Sequence, residues 1–227
     1  MTTMIPPRLV IFAKAAQAGA VKTRLMPALG AQGACLLARQ MLAHTLQQAR
    51  AAQLGAVELC MSPAPDDLAW RDLALPADVV RSAQGEGDLG ARMARAVARV
   101  TTQQRQPVLL IGTDCPGLST ARLRQAALAL ERHDAVLVPA SDGGYVLLGL
   151  KAPCPEIFRQ MPWSTAAVAT LTLQRLAALH LRVWQGQPLH DIDEPADLVH
   201  LPAAFQVANL HKNKQSTAPT NTTQATV

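Results

Sequence analysis

The sequence predicts an α/β fold in three layers, in which helices cover both faces of a mostly parallel sheet with one antiparallel strand. Short runs of consecutive apolar residues, typical of strands buried on both faces, recur along the chain. Segments with apolar residues at helical spacing separate most of these runs. The chain has 227 residues, of which 49% are hydrophobic, and this suffices for one domain with a sizeable core.

The first part of the chain alternates predicted strands and helices. Strands are predicted at residues 9–13, at 56–61 and around Val79 and Val80. Apolar residues recur at helical spacing over 31–52, which predicts a long helix. A shorter helix is predicted around 67–73, after two prolines that suit its start.

The second part continues the pattern. Strands are predicted at 107–112, 135–140, 145–150 and 181–184. Helices are predicted at 89–100, at 120–132 after Ser119 as N-cap, from Ser164 or Thr165 to 179, and after Pro195. The Asp-Gly-Gly turn at 142–144 is too short for a helical crossover, so strand 145–150 should run antiparallel to the preceding one.

These elements predict one domain over residues 8–205. Residues 206–227 form a polar tail, rich in Thr, Asn, Gln and Lys from His211 onward and without periodicity. Such a composition predicts disorder.

Composition argues against several classes of protein. The net charge is +5, but the basic residues are scattered and aromatic residues make up only 3%, so nucleic-acid binding is disfavoured. The apolar runs are too short to span a membrane, and no signal peptide is evident. Cys35, Cys60, Cys115 and Cys154 form no Cys-x-x-Cys pair, which suits free thiols and a cytoplasmic location.

Ligands of open α/β sheets bind beyond the carboxyl ends of the strands, which selects the loops after Ala13, Gly112 and Ala140. The first loop contains Lys14, Gly19, Lys22, Thr23 and Arg24. Backbone N–H groups and basic side chains of this kind suit a diphosphate, although a solvated basic loop would have the same composition.

The two later loops each contain an aspartate directly after a strand. Asp114 is well placed to present its carboxylate at the sheet edge to a hard cation such as Mg²⁺, or else to stabilise a turn or a helix start. Asp142-Gly143-Gly144 lets the backbone approach a ligand closely, but it is also a good hairpin turn.

A further acidic segment contains Asp191 and Asp193 just before the last predicted helix. In an extended segment their side chains lie on the same side, where like charges repel unless a cation is near. A metal shared with Asp114 would supply that cation, and so would an arginine. The six histidines are isolated in the sequence; His190 alone adjoins this segment.

Taken together and in order, these motifs resemble a bacterial family of GT-A-type glycosyltransferases in the nucleotide-diphospho-sugar transferase superfamily, described also as arsenosugar-biosynthesis or radical-SAM-associated transferases. The resemblance spans about residues 8–205. It rests on Ile11-Phe-Ala-Lys14, Gly19-x-x-Lys22-Thr-Arg24-Leu, Gln84-Gly-x-Gly-Asp88, Gly112-Thr-Asp114-Cys-Pro, Asp142-Gly-Gly-Tyr145 and Asp191-Ile-Asp193.

The resemblance implies a Rossmann-like GT-A fold and a set of site residues. By this resemblance, the nucleotide would be bound by Lys14, Gly19, Lys22, Thr23, Arg24, Gly85 and Asp88. Asp114, Asp193 and Asp191 would hold Mg²⁺ or Mn²⁺, with Asp114 serving also in catalysis. An inverting glycosyltransferase also needs a base near the acceptor, and Asp142 is the candidate. The residues on the acceptor side of the site would be Gly143, Gly144, Tyr145, Trp163, Ser164 and Thr165.

The same segments are similar to guanylyltransferases of the deazaflavin pathway and, more distantly, to molybdenum-cofactor nucleotidyltransferases. The first loop departs from those enzymes in having a single glycine and in having Ala28 after Pro27, where lysine is expected; the chain also lacks the Asp-x-Asp of many GT-A enzymes. The expected partners are therefore a nucleotide sugar, or a nucleoside triphosphate in the alternative, and a small acceptor. A catalytically silent nucleotide-binding subunit is a third hypothesis, and the oligomeric state is left open.

Overall fold

In the computed structural model, which describes residues 5–205, seven strands form one sheet. The strands are β1 (Arg8–Lys14), β2 (Val57–Ser62), β3 (Val80–Ala83), β4 (Val108–Ile111), β5 (Ala135–Pro139), β6 (Tyr145–Leu150) and β7 (Val183–Gln185). The longer helices are α1 (Met26–Ala52), α2 (Leu89–Ala98), α3 (Thr120–Arg132) and α4 (Val168–Ala178). Short 3₁₀ helices cover Thr23–Leu25, Leu68–Trp70, Pro155–Ile157 and Pro195–His200, and a π-helical turn covers Arg99–Gln103.

The strand order is β3-β2-β1-β4-β6-β5-β7. Strand β6 runs antiparallel to β4 and β5, and every other neighbouring pair is parallel. The predicted fold class and the predicted direction of β6 are thus confirmed. Because β6 is reversed, the tight turn before it lies at the same sheet edge as the loops after β1 and β4.

Buried side chains alternate between two helical layers. Leu9 and Ile11 of β1 face the cluster that contains buried residues of α1 and α3. Val10 faces the opposite cluster, with buried residues of α2 and α4. This alternation, with a period of two residues, is what a strand covered on both faces requires.

A third, smaller cluster secures the ligand edge of the sheet. Leu25 and Met41, on the chain that follows the first loop, pack with Ile192 and Phe205 from the end of the described chain. Ile192 is fully buried between the two acidic residues of the 191–193 segment. Burying this one side chain anchors the segment and thereby positions the carboxylates on either side of it.

One predicted helix start is wrong. The helix predicted over 31–52 matches the regular part of α1, because Gly30 has non-helical angles (φ 71°, ψ 168°) that separate it from a short first turn beginning at Met26. Helix α4 begins at Val168 without a side-chain cap, so neither Ser164 nor Thr165 caps it. Ser164 instead has a left-handed φ of 64°, and the Thr165 hydroxyl donates to the Pro162 carbonyl at 2.8 Å.

Two predicted helices are shorter than expected, and the predicted polar tail lies outside the described residues. The segments around 67–73 and after Pro195 form 3₁₀ helices of three and six residues. The predicted disorder of 206–227 concerns residues outside those described, and the domain bounds of 8–205 stay a prediction. Over residues 5–205, no helix combines the length and apolar character needed to cross a membrane.

Candidate active site at the carboxyl edge of the sheet

Three segments that are distant in sequence meet beyond the carboxyl ends of β1 and β4. The Lys22 Nζ donates to the Ile192 carbonyl at 2.6 Å and lies 2.8 Å from Asp114 Oδ1. The Ile192 N–H donates to the Asp114 carbonyl at 2.8 Å. The first loop, the β4 loop and the 191–193 segment are therefore joined by hydrogen bonds through one lysine and one backbone amide.

This site is an alternating cluster of charges. Lys22 Nζ is also 3.7 Å from Asp193 Oδ1, and the guanidinium of Arg24 donates to Asp193 Oδ2 at 2.8 Å. The Lys22 side chain is only 6% exposed, whereas Asp114 and Asp193 are 53% and 40% exposed. The two carboxylates are therefore open to solvent, while the lysine that pairs with them is buried beneath them. The backbone of Lys22 is in the left-handed region (φ 48°).

The donor set of this cluster fits a hard divalent cation. Asp114 and Asp193 both lie within 4 Å of the Lys22 ammonium nitrogen, so the two carboxylates are near each other and share one cation. Within residues 5–205 no three His, Cys, Asp or Glu side chains are grouped as a metal site. Mg²⁺ commonly uses one or two carboxylates and takes its other ligands from phosphates and water, which is the arrangement this pair offers.

Asp191 belongs to a second acidic pair. Burial, together with the nearby Asp142 carboxylate, raises the pKa of Asp191. Asp142 itself is exposed, and its Oδ1 accepts from the Gly144 N–H at 2.8 Å. Two carboxylates in unequal environments are a common arrangement in acid–base sites.

The glycine-rich turn at 84–88 lies between β3 and α2. Buried Gln84 donates through its Nε2 to the Ala13 and Cys60 carbonyls, both at 3.1 Å, and thus fixes the turn to the ends of β1 and β2. Gly85 has a φ of +75°, which favours glycine. Asp88, predicted to contact the nucleotide, caps α2: its Oδ1 accepts from the Ala91 N–H at 2.8 Å.

The remaining residues predicted to bind the nucleotide lie on the first loop. Lys14 Nζ donates to the Ala20 carbonyl at 3.1 Å across that loop. Gly19 has a φ of +83°, and Thr23 begins the 3₁₀ helix that leads into α1. These positions belong to the same loop as Lys22 and Arg24, and their roles toward a nucleotide stay predictions.

A pocket of about 240 Å³ opens beside the charge cluster, above the layer of α2 and α4. It contains most of the residues predicted for the acceptor side: Gly144, Tyr145, Trp163, Ser164 and Thr165, together with Asp142. Gly143 does not line it. A Cβ at Gly143 would lie 2.2 Å from the Ala166 carbonyl oxygen, so glycine allows the β5–β6 turn to touch the chain that leads into α4.

Apolar residues that the sequence analysis did not select complete this pocket. They are Phe12, Leu89, Met93, Leu110, Ile111, Val146 and Val168, with Gly112 at the edge nearest Asp114. In the sequence these residues read as ordinary core positions of strands and helices, and nothing local marks them as pocket walls.

Residues 45–165 match the protein family described as "Uncharacterized protein conserved in bacteria (DUF2064)". The chain belongs to this family. The matched segment of DUF2064 contains Asp114, the Asp142 turn and Trp163, but neither the first loop nor the 191–193 segment. No curated protein matches the sequence.

Solved structures similar to this DUF2064 member share its fold. A proposed nucleotide-diphospho-sugar transferase from Desulfovibrio desulfuricans G20 is 28% identical, with a TM-score of 0.82 over 93% of this chain and 96% of that one. Rv0371c from Mycobacterium tuberculosis H37Rv, in complex with manganese, is 18% identical with a TM-score of 0.54, over 87% and 98% of the two chains. The 4-diphosphocytidyl-2C-methyl-D-erythritol synthase of Anaerococcus prevotii DSM 20548 is 13% identical with a TM-score of 0.55, over 88% and 96%.

Proposed function

We propose that the protein is a metal-dependent glycosyltransferase that moves a sugar from a nucleoside-diphosphate donor to a hydroxyl group of a small acceptor. The observation that carries this proposal is the composition of the pocket beside the charge cluster. Its lining has one charged side chain, the carboxylate of Asp142, and no lysine or arginine. The similarity to the proposed nucleotide-diphospho-sugar transferase of Desulfovibrio desulfuricans supports the same class of donor.

The charge cluster is assigned to the donor diphosphate. Lys22 and Arg24, with the backbone of the Gly19 loop, would pair with phosphate oxygens, as basic side chains and N–H groups at a helix start do elsewhere. Lys14, Thr23, Gly85 and Asp88 would lie toward the rest of the nucleotide.

The metal is assigned to the carboxylates that face solvent. Asp114 and Asp193 would hold Mg²⁺ or Mn²⁺ together with phosphate oxygens, and Asp191 would support them from its half-buried position. When bound, such a cation offsets the negative charge that builds on the leaving diphosphate. The manganese complex of Rv0371c, a protein of the same fold, supports this assignment.

Transfer is proposed to take place between the charge cluster and the pocket. The acceptor hydroxyl oxygen forms a bond to the anomeric carbon, and the bond from that carbon to the diphosphate oxygen breaks. The electron pair of the broken bond leaves with the nucleoside diphosphate, while the hydroxyl proton passes to Asp142. Asp142 lines the pocket and is near enough to Asp191 to raise the pKa of that residue, which supports its assignment to the acceptor side.

The pocket lining contains no lysine or arginine, and this favours glycosyl transfer over nucleotidyl transfer. A nucleotidyltransferase acting on a phosphorylated acceptor has to bind that second phosphate, which basic side chains normally do. The described lining offers a carboxylate there, and a carboxylate repels phosphate. Nucleotidyl transfer is the second candidate because the fold also matches the synthase of Anaerococcus prevotii.

The test is a thermal-shift screen of UDP-, GDP-, ADP- and dTDP-sugars against the parent triphosphates, each with and without Mn²⁺ or Mg²⁺. A ligand that binds the folded protein raises its melting temperature by mass action. We expect metal-dependent stabilisation by one nucleotide sugar, followed by its turnover. Stabilisation by a triphosphate alone would replace this proposal with nucleotidyl transfer, and binding without turnover would favour a silent nucleotide-binding subunit.

A variant pair checks the metal assignment in the same assay. Asp114→Asn should stay folded but lose turnover and the metal-dependent part of the shift, because it removes one of two carboxylates. Asp66→Asn, at an exposed position outside the charge cluster, is the matched control and should behave as the wild type. Wild-type turnover by Asp114→Asn would exclude this residue as a metal ligand.

A further inference from the structure

Two arginines of α2 bind the main chain of the turn at 84–88, which precedes the helix. The guanidinium of Arg95 donates to the Gln84 carbonyl and, at 2.8 Å, to the Glu86 carbonyl. Arg92 Nε donates to the Gly87 carbonyl at 2.8 Å. The two arginines are three positions apart and therefore lie on one face of α2. Three carbonyl groups of one short turn are thus bound by a single face of the helix.

These contacts fix the direction of three N–H groups of the turn. The peptide units of the turn are trans, and in a trans peptide the carbonyl and the N–H point in opposite directions. The N–H groups of Gly85, Gly87 and Asp88 belong to the three bound units, so they point away from the arginines. None of the three donates to another protein atom among residues 5–205. They are donors available to a ligand on an exposed turn.

Glycine at position 85 allows Arg95 to reach the turn. A Cβ at Gly85 would lie 2.6 Å from a terminal nitrogen of Arg95 and 3.1 Å from its Cζ atom. The Arg95 side chain therefore occupies the space that a larger residue at position 85 would need. Arg95 is itself exposed, so it contributes little to the core, and its specific contribution is the set of hydrogen bonds to the turn.

The turn lies beside the loop that is assigned to the diphosphate. Gln84 Nε2 donates to the Ala13 carbonyl near the end of β1, directly before the first loop. The base and ribose of a nucleotide offer carbonyl, ring nitrogen and hydroxyl acceptors, which are the atoms that N–H groups bind. Linked hydrogen bonds polarise one another, so a guanidinium bound to the carbonyl strengthens donation by the N–H of the same peptide unit.

We propose that Arg95 is a positioning residue for the nucleoside part of the donor, because it fixes the turn so that its N–H groups donate to the base or the ribose. Arg92 supports the same turn through the Gly87 carbonyl. This inference rests on the proposed function, which assigns the turn to the nucleotide and the first loop to the diphosphate. Arg95 acts through the turn, and no contact between its side chain and the ligand is required.

The experiment compares two probes by calorimetry on the full chain, each with Mn²⁺. The first is UDP, GDP, ADP or dTDP, whichever raises the melting temperature of the wild type most. The second is inorganic pyrophosphate, which has the diphosphate without the nucleoside. Arg95→Met should weaken the nucleoside diphosphate by about tenfold, the effect of roughly one hydrogen bond, and leave pyrophosphate unchanged. Lys22→Met, at the diphosphate, should weaken both probes.

Arg124→Met is the matched control. Arg124 is also exposed, and its guanidinium donates to the Ala51 and Ala52 carbonyls at 3.0 and 3.1 Å, at the end of α1. Both variants lose arginine–carbonyl hydrogen bonds, so a structural role alone predicts similar melting temperatures and unchanged nucleotide affinity in both.

Two further variants keep the test independent of the stability of Arg95→Met. Arg95→Lys retains the charge and can donate to one of the two carbonyls, so it should recover part of the nucleotide affinity. Gly85→Ala places a Cβ against the Arg95 guanidinium and should reproduce the selective loss without a change at Arg95.

Unchanged affinity for the nucleoside diphosphate in Arg95→Met and Gly85→Ala would overturn this inference, and so would an equal loss for pyrophosphate or an equal loss in Arg124→Met. If the wild type binds one of the four nucleoside diphosphates, these results reject the inference and retain the proposed function. If the wild type binds none of the four, the proposed function is rejected and this inference with it.

Discussion

Replacing Glu58 with glutamine should weaken the scaffold while leaving the ligand edge unchanged. Glu58 is fully buried at the start of β2, at the end of the sheet opposite the candidate site. Its carboxylate accepts hydrogen bonds from Arg8 at 3.2 Å, from Ser82 at 2.6 Å and from both terminal nitrogens of Arg99. Glutamine keeps the shape of the side chain but leaves two guanidinium groups without a counter-charge.

The expected loss follows from how well the two arginines reach water. Removing one partner of a buried ion pair lowers the free energy of unfolding by about 3–5 kcal/mol. The Arg8 and Arg99 side chains are 14% and 26% exposed, so solvent partly offsets their loss and the lower end of that range applies. About 3 kcal/mol corresponds to a decrease of roughly 6–12 °C in the melting temperature of a domain of this size.

Thermal unfolding followed by circular dichroism measures this loss, with Asp78→Asn as control. Asp78 pairs with Arg50 at 2.9 Å on the surface, where the two side chains are 61% and 44% exposed, so its replacement should change the melting temperature far less. Nucleotide-sugar binding, measured below both melting temperatures, should be the same in both variants and the wild type.

The pH dependence of unfolding gives an independent check. Burial alone would raise the pKa of Glu58, but the hydrogen bonds from Arg99 and Ser82 and the charges of Arg99 and Arg8 outweigh it and hold that pKa below its usual value of 4.5. Its stabilising contribution is therefore present above pH 4.5 and lost as the pH falls through the lowered folded-state pKa. The difference between wild type and Glu58→Gln should shrink over that range. A loss no larger than that of Asp78→Asn at neutral pH would refute the reasoning.

Three further outcomes are expected at or near the site. Lys22→Met should weaken nucleotide binding, measured by calorimetry, because it removes the cation that lies 2.8 Å from Asp114; unchanged affinity would mean that Lys22 does not contact phosphate. Asp88→Ala should lower the free energy of unfolding by about 1 kcal/mol through loss of the α2 cap, whereas Asp88→Asn should retain both stability and nucleotide affinity; a nucleotide defect that persists in the stable asparagine variant would show a role for the charge. Burial raises the pKa of the Cys115 thiol to about 11, so iodoacetamide should label it slowly at pH 8 in the folded protein, and rapid labelling detected by mass spectrometry would contradict its burial.

Local signals account for the elements that the sequence predicted best. The predicted helix at 120–132 coincides with α3, because Ser119 marks its start through a side-chain hydrogen bond to the Arg122 N–H. The strand at 145–150 was predicted with its bounds and direction, because the Asp-Gly-Gly turn leaves no room for a crossover. The start of α4 was missed because Ser164 and Thr165 belong to a turn, in which Thr165 donates to Pro162, and the chain after that turn contacts Gly143, which lies distant in sequence.

The charged residues of the candidate site could be predicted from the sequence, whereas the apolar walls of the pocket could not. The rule for parallel strands brings Lys22 and Asp114 together, and the acidic segment before the last predicted helix supplied Asp193; the structure places the three within one charge cluster. The walls of the pocket were missed, since Phe12 and Met93 are apolar residues in ordinary strand and helix patterns. Their position in the pocket wall results from how the strands, α2 and the chain before α4 pack together, and no local pattern encodes it.

The contact between Gly143 and Ala166 has a consequence for how this family can diversify. The β5–β6 turn is tight, the Ala169 N–H donates to the Gly143 carbonyl at 2.9 Å, and no space remains for even one added methyl group at Gly143. Insertions in either segment would separate the two and open the pocket to solvent. Changes in what the pocket binds are therefore expected to evolve by exchange of lining side chains such as Tyr145 and Trp163 on an unchanged backbone, rather than by the loop-length variation common in other α/β enzymes.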